Sequence, residues 1–225
     1  MESKRIMIVN LKNYQEVAGP LAKEIALRCE QISDASGFDI AVAPPTHMLS
    51  EMSRLSIKIF AQHTDDAQFG ATTGFTVPES LKMSGVSGVI LNHSEHRMPE
   101  DFVKKMIPRL KATNLISVVC VADERECRRY ARLNPDYIAI EPPELIGSGR
   151  AVSVENPKVI RECAKMIRHV ESSSRLLCGA GITAAKDVKE ALEIGVDGII
   201  VSSAVAKAKD PESVIENLSK QLWGF

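Results

Sequence analysis

Three residue types in this chain could together move a proton beside a carbonyl group: a carboxylate, an imidazole and an ammonium. Glu141 follows the apolar run 137–140 and precedes a glycine-bounded segment, 142–149. Lys12 and His93 also lie at or within three residues of the ends of short apolar runs. A carboxylate can act as a general base, while a lysine and a histidine can stabilise charge that develops on oxygen. The three side chains predict one proton-transfer site if the fold brings the run ends together.

Eight short apolar runs would have to position these side chains. The runs cover residues 6–9, 40–43, 57–61, 89–91, 116–121, 137–140, 176–178 and 198–201. None of them alternates polar with apolar residues, which is typical of strands buried on both faces of a parallel sheet. Taken singly, Lys12 is typical of a solvated lysine and His93 of a hydrogen-bonded structural histidine. Their shared place at strand ends favours a common site.

Helical periodicity separates the runs. Apolar residues three or four positions apart predict helices that begin at Pro20, Pro157 and Pro211. Three glycines, Gly37, Gly85 and Gly195, are each predicted to close a helix shortly before the next strand. Strands alternating with helices over 225 residues, without a linker-like stretch, predict an α/β fold in which residues 1–225 form one (β/α)₈ barrel domain. An open doubly wound sheet is the alternative, although no G-x-G-x-x-G motif follows the first run.

The composition excludes several classes of protein. A net charge of −1 gives no electrostatic reason to predict a nucleic-acid or membrane partner. The five cysteines form no C-x-x-C pair, so we expect buried thiols in a reducing cytoplasm. No apolar run is long enough for a signal peptide or a membrane span. His93 and His96 are three residues apart but have no supporting ligand cluster, so we predict no metal and no cofactor.

Small residues follow the seventh and eighth runs. Residues 178–182 read Cys-Gly-Ala-Gly-Ile, and residues 202–204 read Ser-Ser-Ala. Such turns leave backbone N–H groups open to an anion, and a short helix beginning at Ser203 would aim its N-terminus at the same place. The loops after strands 7 and 8 of a (β/α)₈ barrel are a frequent phosphate site. A phosphorylated ligand is therefore predicted.

These motifs, in this order and strand register, resemble the triosephosphate isomerase family over essentially the whole chain. The matching segments are Asn10-x-Lys12, His93-Ser94-Glu95, Glu141-Pro142 with Ile146-Gly147-x-Gly149, and the turns at Gly181 and Ser202-Ser203. The chain is also short for a barrel of about 250 residues. It looks like the compact archaeal form of the family, and several helices must be short.

The resemblance implies the role of each catalytic residue. Glu141 would remove a carbon-bound proton from dihydroxyacetone phosphate and return it at the neighbouring carbon, which gives D-glyceraldehyde 3-phosphate. His93, kept neutral by a helix N-terminus, would polarise the carbonyl group and shuttle protons between the two oxygens. Lys12, placed by Asn10, would hold the substrate, and Glu95 would be a supporting acid.

The resemblance also implies how the substrate and the subunits are held. A homodimer or homotetramer is expected, because in the family the loop that matches residues 62–77 inserts into a neighbouring subunit. Here it carries Phe69 and Phe75; the alternative is that it folds back over its own barrel. The reaction would serve glycolysis and gluconeogenesis. The implied phosphate-binding positions are Ile146, Gly147, Gly181, Ser202 and Ser203.

The chain departs from the common family pattern at several places. Asn92 stands where a glycine usually precedes the catalytic histidine, and His96 stands where an arginine usually follows Glu95. The second departure puts a structural ion pair in question, though not the chemistry. Two alternatives are another phosphate-binding barrel isomerase or lyase, for which Asp123 would matter, and a non-catalytic metabolite-binding barrel. The second would be expected to lack the base, the lysine or the histidine.

Overall fold

A closed barrel of eight parallel strands organises the chain. The computed structural model describes residues 5–224. Each strand pairs with the next, and β1 also pairs with β8. The predicted barrel is confirmed, with strand ends within one residue of the apolar runs, and the open sheet is wrong. The strands are β1 Ile6–Asn10, β2 Asp39–Ala43, β3 Lys58–Ala61, β4 Gly88–Leu91, β5 Ile116–Val121, β6 Tyr137–Ile140, β7 Arg175–Cys178 and β8 Gly198–Val201.

Helices cover the outside of the barrel. The predicted prolines occupy first-turn positions of three of them, where a missing N–H costs no intrahelical bond. Several of these helices consist of a single turn, as expected for a chain that is short for this fold. In the described residues the helices are α1 Pro20–Ser36, α2 Leu49–Met52, α3 Pro78–Met83, α4 Glu100–Ala112, α5 Glu124–Ala131, α6 Val152–Glu155, α7 Pro157–His169, α8 Ala185–Ile194, α9 Ser203–Ala206 and α10 Pro211–Trp223.

The predicted glycine ends of helices are confirmed. Gly37 and Gly195 cap α1 and α8 in the left-handed region, with φ of 70° and 103°, and Gly85 follows the cap of α3 with φ of 86°. This conformation costs a glycine little and lets the chain turn back at once towards the next strand. Each strand therefore starts at the same end of the barrel as its neighbours.

The barrel has two apolar layers. One fills the interior with side chains from alternate strand positions, including Ile8, Phe60 and Leu177. The other packs the outer strand faces against the helices. Both strand faces are buried, which explains why the runs do not alternate. No helix among residues 5–224 is long and apolar enough to cross a membrane, and the five cysteines are buried free thiols.

Candidate active site

The strand ends bring the predicted residues to one cavity at the C-terminal rim of the barrel. Lys12 follows β1, His93 follows β4 and Glu141 follows β6. Glu95 lines a neighbouring cavity that shares Asn10, Lys12 and His93 with the first. The predicted residues that line the first cavity are Asn10, Lys12, His93, Glu141, Ile146, Gly147, Gly181, Ser202 and Ser203.

Glu141 is a buried carboxylate with one uncommitted oxygen. Its backbone N–H donates to the Val121 carbonyl, which extends the strand pairing by one residue. The residue is 5% exposed, and its Oε2 atom has no hydrogen-bond partner. That oxygen lies 3.6 Å from His93 Nε2. A buried carboxylate oxygen without a partner is costly to keep, and such groups are found where a ligand supplies the missing contact.

Gly179 makes room for this carboxylate. A Cβ atom at Gly179 would lie 2.4 Å from Glu141 Oε1 and 2.5 Å from Ile200 Cγ2. Real Cβ atoms do not approach other atoms so closely, so any side chain here must displace the glutamate or the strand beside it. The sequence predicted an anion-binding turn around this glycine, and its packing against Glu141 could not be predicted from the motif.

We expect Gly179→Ala to lower kcat roughly 10- to 100-fold, because it moves the Glu141 carboxylate from its position beside His93. Gly19→Ala is the matched control, since a Cβ there meets nothing within 4 Å. The rates of both variants are measured with their thermal midpoints. A fully active Gly179→Ala protein would show that the position of Glu141 does not depend on this contact.

Two thiols lie beside the Glu141 carboxylate. Burial raises the pKa of Cys120 well above its ordinary value, and the charge of Glu141 raises it further. Burial and then Glu141 likewise raise the pKa of Cys178. Both groups therefore stay neutral at any physiological pH, and neither competes with Glu141 for protons.

His93 is held in one tautomer. Its Nδ1 atom accepts a hydrogen bond of 3.2 Å from the backbone N–H of Glu95, which leaves the proton on Nε2, facing Glu141. The expected helix N-terminus beside His93 is wrong, because α4 begins only at Glu100. The ring is contacted instead by a single N–H in a tight turn, that of Glu95.

Lys12 adopts a left-handed conformation, with φ of 50°. The Asn10 side chain accepts from the Lys12 N–H at 3.1 Å, and Gln62 donates to the Lys12 carbonyl at 3.0 Å. Lys12 Nζ lies 2.7 Å from Glu95 Oε1. Asn10 thus positions Lys12, and Glu95 orients its ammonium group. Gln62 was missed as a positioning residue; its place directly after β3 was the available signal.

His96 does not form the ion pair that an arginine at this position would be expected to make. Its ring lies 4.4 Å from that of His63. Burial lowers the pKa of His63, the nearby His96 lowers it further, and Asp65 opposes both effects. The ion pair is formed one residue later, between Arg97 and Glu126.

The residues predicted to bind an anion line one side of the cavity. Ser203 starts α9, and the Ser202 Oγ atom is buried without a hydrogen-bond partner. Gly181 has φ of 72°, and a Cβ there would lie 1.9 Å from the Arg150 carbonyl oxygen. Only glycine therefore lets residues 150–151, directly after segment 142–149, pack against the loop after β7.

Asp123, the candidate residue for a different barrel enzyme, has a structural role. Asp123 accepts from the backbone N–H groups of Arg125 and Glu126, both at 2.9 Å, and so caps α5. Within residues 5–224, no group of three or more His, Cys, Asp or Glu side chains is arranged to hold a metal ion.

The fold and the rim site together define an α/β-barrel enzyme. The family model of triosephosphate isomerase matches residues 5–218. The triosephosphate isomerase of Cenarchaeum symbiosum is 47% identical over 99% of this chain and 100% of its own length. That of Methanothermus fervidus is 38% identical over 96% of this chain and 98% of its own, and that of Sulfurisphaera tokodaii is 41% identical over 94% and 93%. The chain belongs to the triosephosphate isomerase family, and the resemblance to archaeal members is confirmed.

Proposed function

We propose that the chain interconverts dihydroxyacetone phosphate and D-glyceraldehyde 3-phosphate through an enediolate, with Glu141 as the base. The observation that carries the assignment is the unpartnered Glu141 Oε2 atom, which lies 3.6 Å from the His93 Nε2 atom. A ligand bound beside the two groups would meet a proton acceptor in Glu141 and a hydrogen-bond donor in His93. A coupled assay of both directions tests the activity, and no turnover in either direction would refute it.

The residues divide the reaction between them. Glu141 takes a proton from one carbon of the substrate and returns it to the neighbouring carbon, so the base is regenerated. His93 donates from Nε2 to the carbonyl oxygen and recovers a proton from the other oxygen. Lys12 offsets the negative charge of the enediolate and the phosphate. These contacts strengthen as charge moves onto oxygen, so they favour the transition state over the ground state.

Segment 142–149, which we call the lid, completes the site. Its residues Ile146 and Gly147 line the same cavity as Gly181, Ser202 and Ser203. We assign these five positions to the phosphate group, held mainly by backbone N–H groups. Covering the site matters because an enediolate that meets water can lose its phosphate by elimination.

Inorganic sulfate or phosphate is expected to inhibit competitively against the triose phosphate, because it occupies the same pocket. Inhibition kinetics and a crystal soaked in sulfate check this together. Non-competitive inhibition, or an anion bound away from Gly181 and Ser202-Ser203, would contradict the assigned phosphate site.

The loop 62–77 is proposed as a contact between subunits. Its base is tied together by Asp65, whose N–H donates to the Thr76 carbonyl and whose carboxylate accepts from the Thr76 N–H, each at 2.7 Å. Within the loop Phe69 is 62% exposed, and Phe75, next to its base, is 57% exposed. Large apolar side chains on a firmly held loop need a cover, which a second copy supplies.

The place that receives the loop is proposed to be the cavity beside Lys12. That cavity has a volume of about 490 Å³ and is lined in part by Asn10, Glu95 and His96. Thr72 and Thr73, near the loop tip, would then help orient Lys12 in the neighbouring subunit. The assembly would be a homodimer or a homotetramer. We further propose that the enzyme works in the cytoplasm, in glycolysis and gluconeogenesis.

A further inference from the structure

We infer that Asn92 is a positioning residue for His93: its carboxamide fixes the turn that points His93 Nε2 at Glu141. The inference rests on the proposed role of His93. Asn92 is 2% exposed and immediately precedes the histidine. It lies in the left-handed region, with φ of 61°, where asparagine is several-fold enriched over most other residues.

Both ends of the Asn92 carboxamide are used. Nδ2 donates to the Cys120 carbonyl at 3.0 Å, and Oδ1 accepts from the Met98 N–H at 3.1 Å. The first bond ties the end of β4 to β5. The second ties it to the chain that leads into α4. One side chain therefore holds both ends of residues 92–98, the turn that carries His93.

A second set of contacts reaches the same residue. The Asn92 carbonyl accepts from Arg97 Nη1 at 3.4 Å. Arg97 is paired with Glu126, and the other oxygen of Glu126 accepts from the Ala122 N–H at 2.9 Å. The turn is thus anchored at the end of β5 through a charge-assisted network as well as directly.

This anchoring matters because few other contacts fix the position of the His93 ring. The ring is located by its backbone, by the Glu95 N–H on Nδ1, and by the 3.6 Å approach to Glu141. Where a glycine precedes the histidine, as the common pattern of the family has it, no side chain can make the two carboxamide bonds. In this chain those bonds take part in orienting a reacting group.

The test compares Asn92→Gly with Asn114→Gly. Glycine tolerates the left-handed conformation, so the first variant removes the carboxamide without adding backbone strain. Asn114 has φ of 55°, is exposed, and precedes β5 at the opposite end of the barrel. We expect Asn92→Gly to lower kcat roughly tenfold or more with KM nearly unchanged, since the phosphate contacts stay in place. We expect Asn114→Gly to keep both constants.

A ¹⁵N NMR spectrum of the His93 imidazole gives a readout that stability alone does not move. The wild type should show a protonated Nε2 and a hydrogen-bonded, unprotonated Nδ1, and Asn92→Gly should show a mixture of tautomers. An Asn92→Gly protein that melts earlier but keeps the wild-type kcat and tautomer would overturn the inference. A His93→Gln variant separates the two hypotheses: if it is fully active, the proposed role of His93 fails. If it is inactive while Asn92→Gly is normal, only the inference about Asn92 fails.

Discussion

Glu141→Gln is expected to lower kcat by two to four orders of magnitude, roughly the contribution of a positioned general base. The amide keeps the shape of the side chain, and the surrounding space, bounded by Gly179, already fits it. It cannot accept the carbon-bound proton. The barrel and the phosphate pocket should be unaffected, so KM and the thermal midpoint should change little.

Glu193→Gln is the matched control for this variant. Glu193 is an exposed carboxylate near the end of α8, at the opposite end of the barrel. Steady-state kinetics in both directions, with a thermal melt of each protein, decide the matter. If Glu141→Gln retains a near-wild-type kcat, Glu141 is not the base.

Shortening the loop 62–77 is expected to give a soluble monomer whose activity is greatly reduced. Replacing residues 67–74 by two glycines leaves the paired Asp65 and Thr76 in place, so the shortened loop can still close. It removes the exposed Phe69 together with the threonines that we assign to the neighbouring site. Lys12 then loses a contact that orients it, and each site is incomplete without its neighbour.

Sedimentation and the coupled assay on one sample check this prediction. The double variant Phe69→Ser with Phe75→Ser keeps the loop length and should weaken the assembly less. Circular dichroism must show an intact barrel in all samples. An oligomer that survives the shortening, or a monomer with full activity, would show that the loop does not complete the site.

The architecture could be predicted because its causes are local. A run such as 6–9 is apolar at every position, which indicates burial on both faces and hence a parallel sheet. Proline at the first turn of a helix and glycine after its last turn act within a few residues of the chain. Barrel closure follows from eight such units, and closure places Lys12, His93 and Glu141 on one rim.

The finer parts of the site could not be predicted because they depend on contacts between distant segments. Gly179 is needed because Glu141 lies against it from another strand. Gln62 matters through the Lys12 carbonyl. The helix expected beside His93 was inferred from the family, but here the chain makes a tight turn before α4 begins. No local pattern specifies either of the first two contacts.

The pairing of β8 with β1 has a consequence for synthesis on the ribosome. Ile6 pairs with Gly198, and Val9 with Val201. The pairing that closes the barrel therefore joins the two strands that are farthest apart in the sequence. A nascent chain whose first seven strands have emerged from the ribosome already contains Lys12 and Glu141. It still lacks Ser202, and it exposes the unpaired edge of β1. Such edges invite association with other chains, and contacts between distant segments form slowly. Activity during refolding should therefore appear only with closure, as one late event.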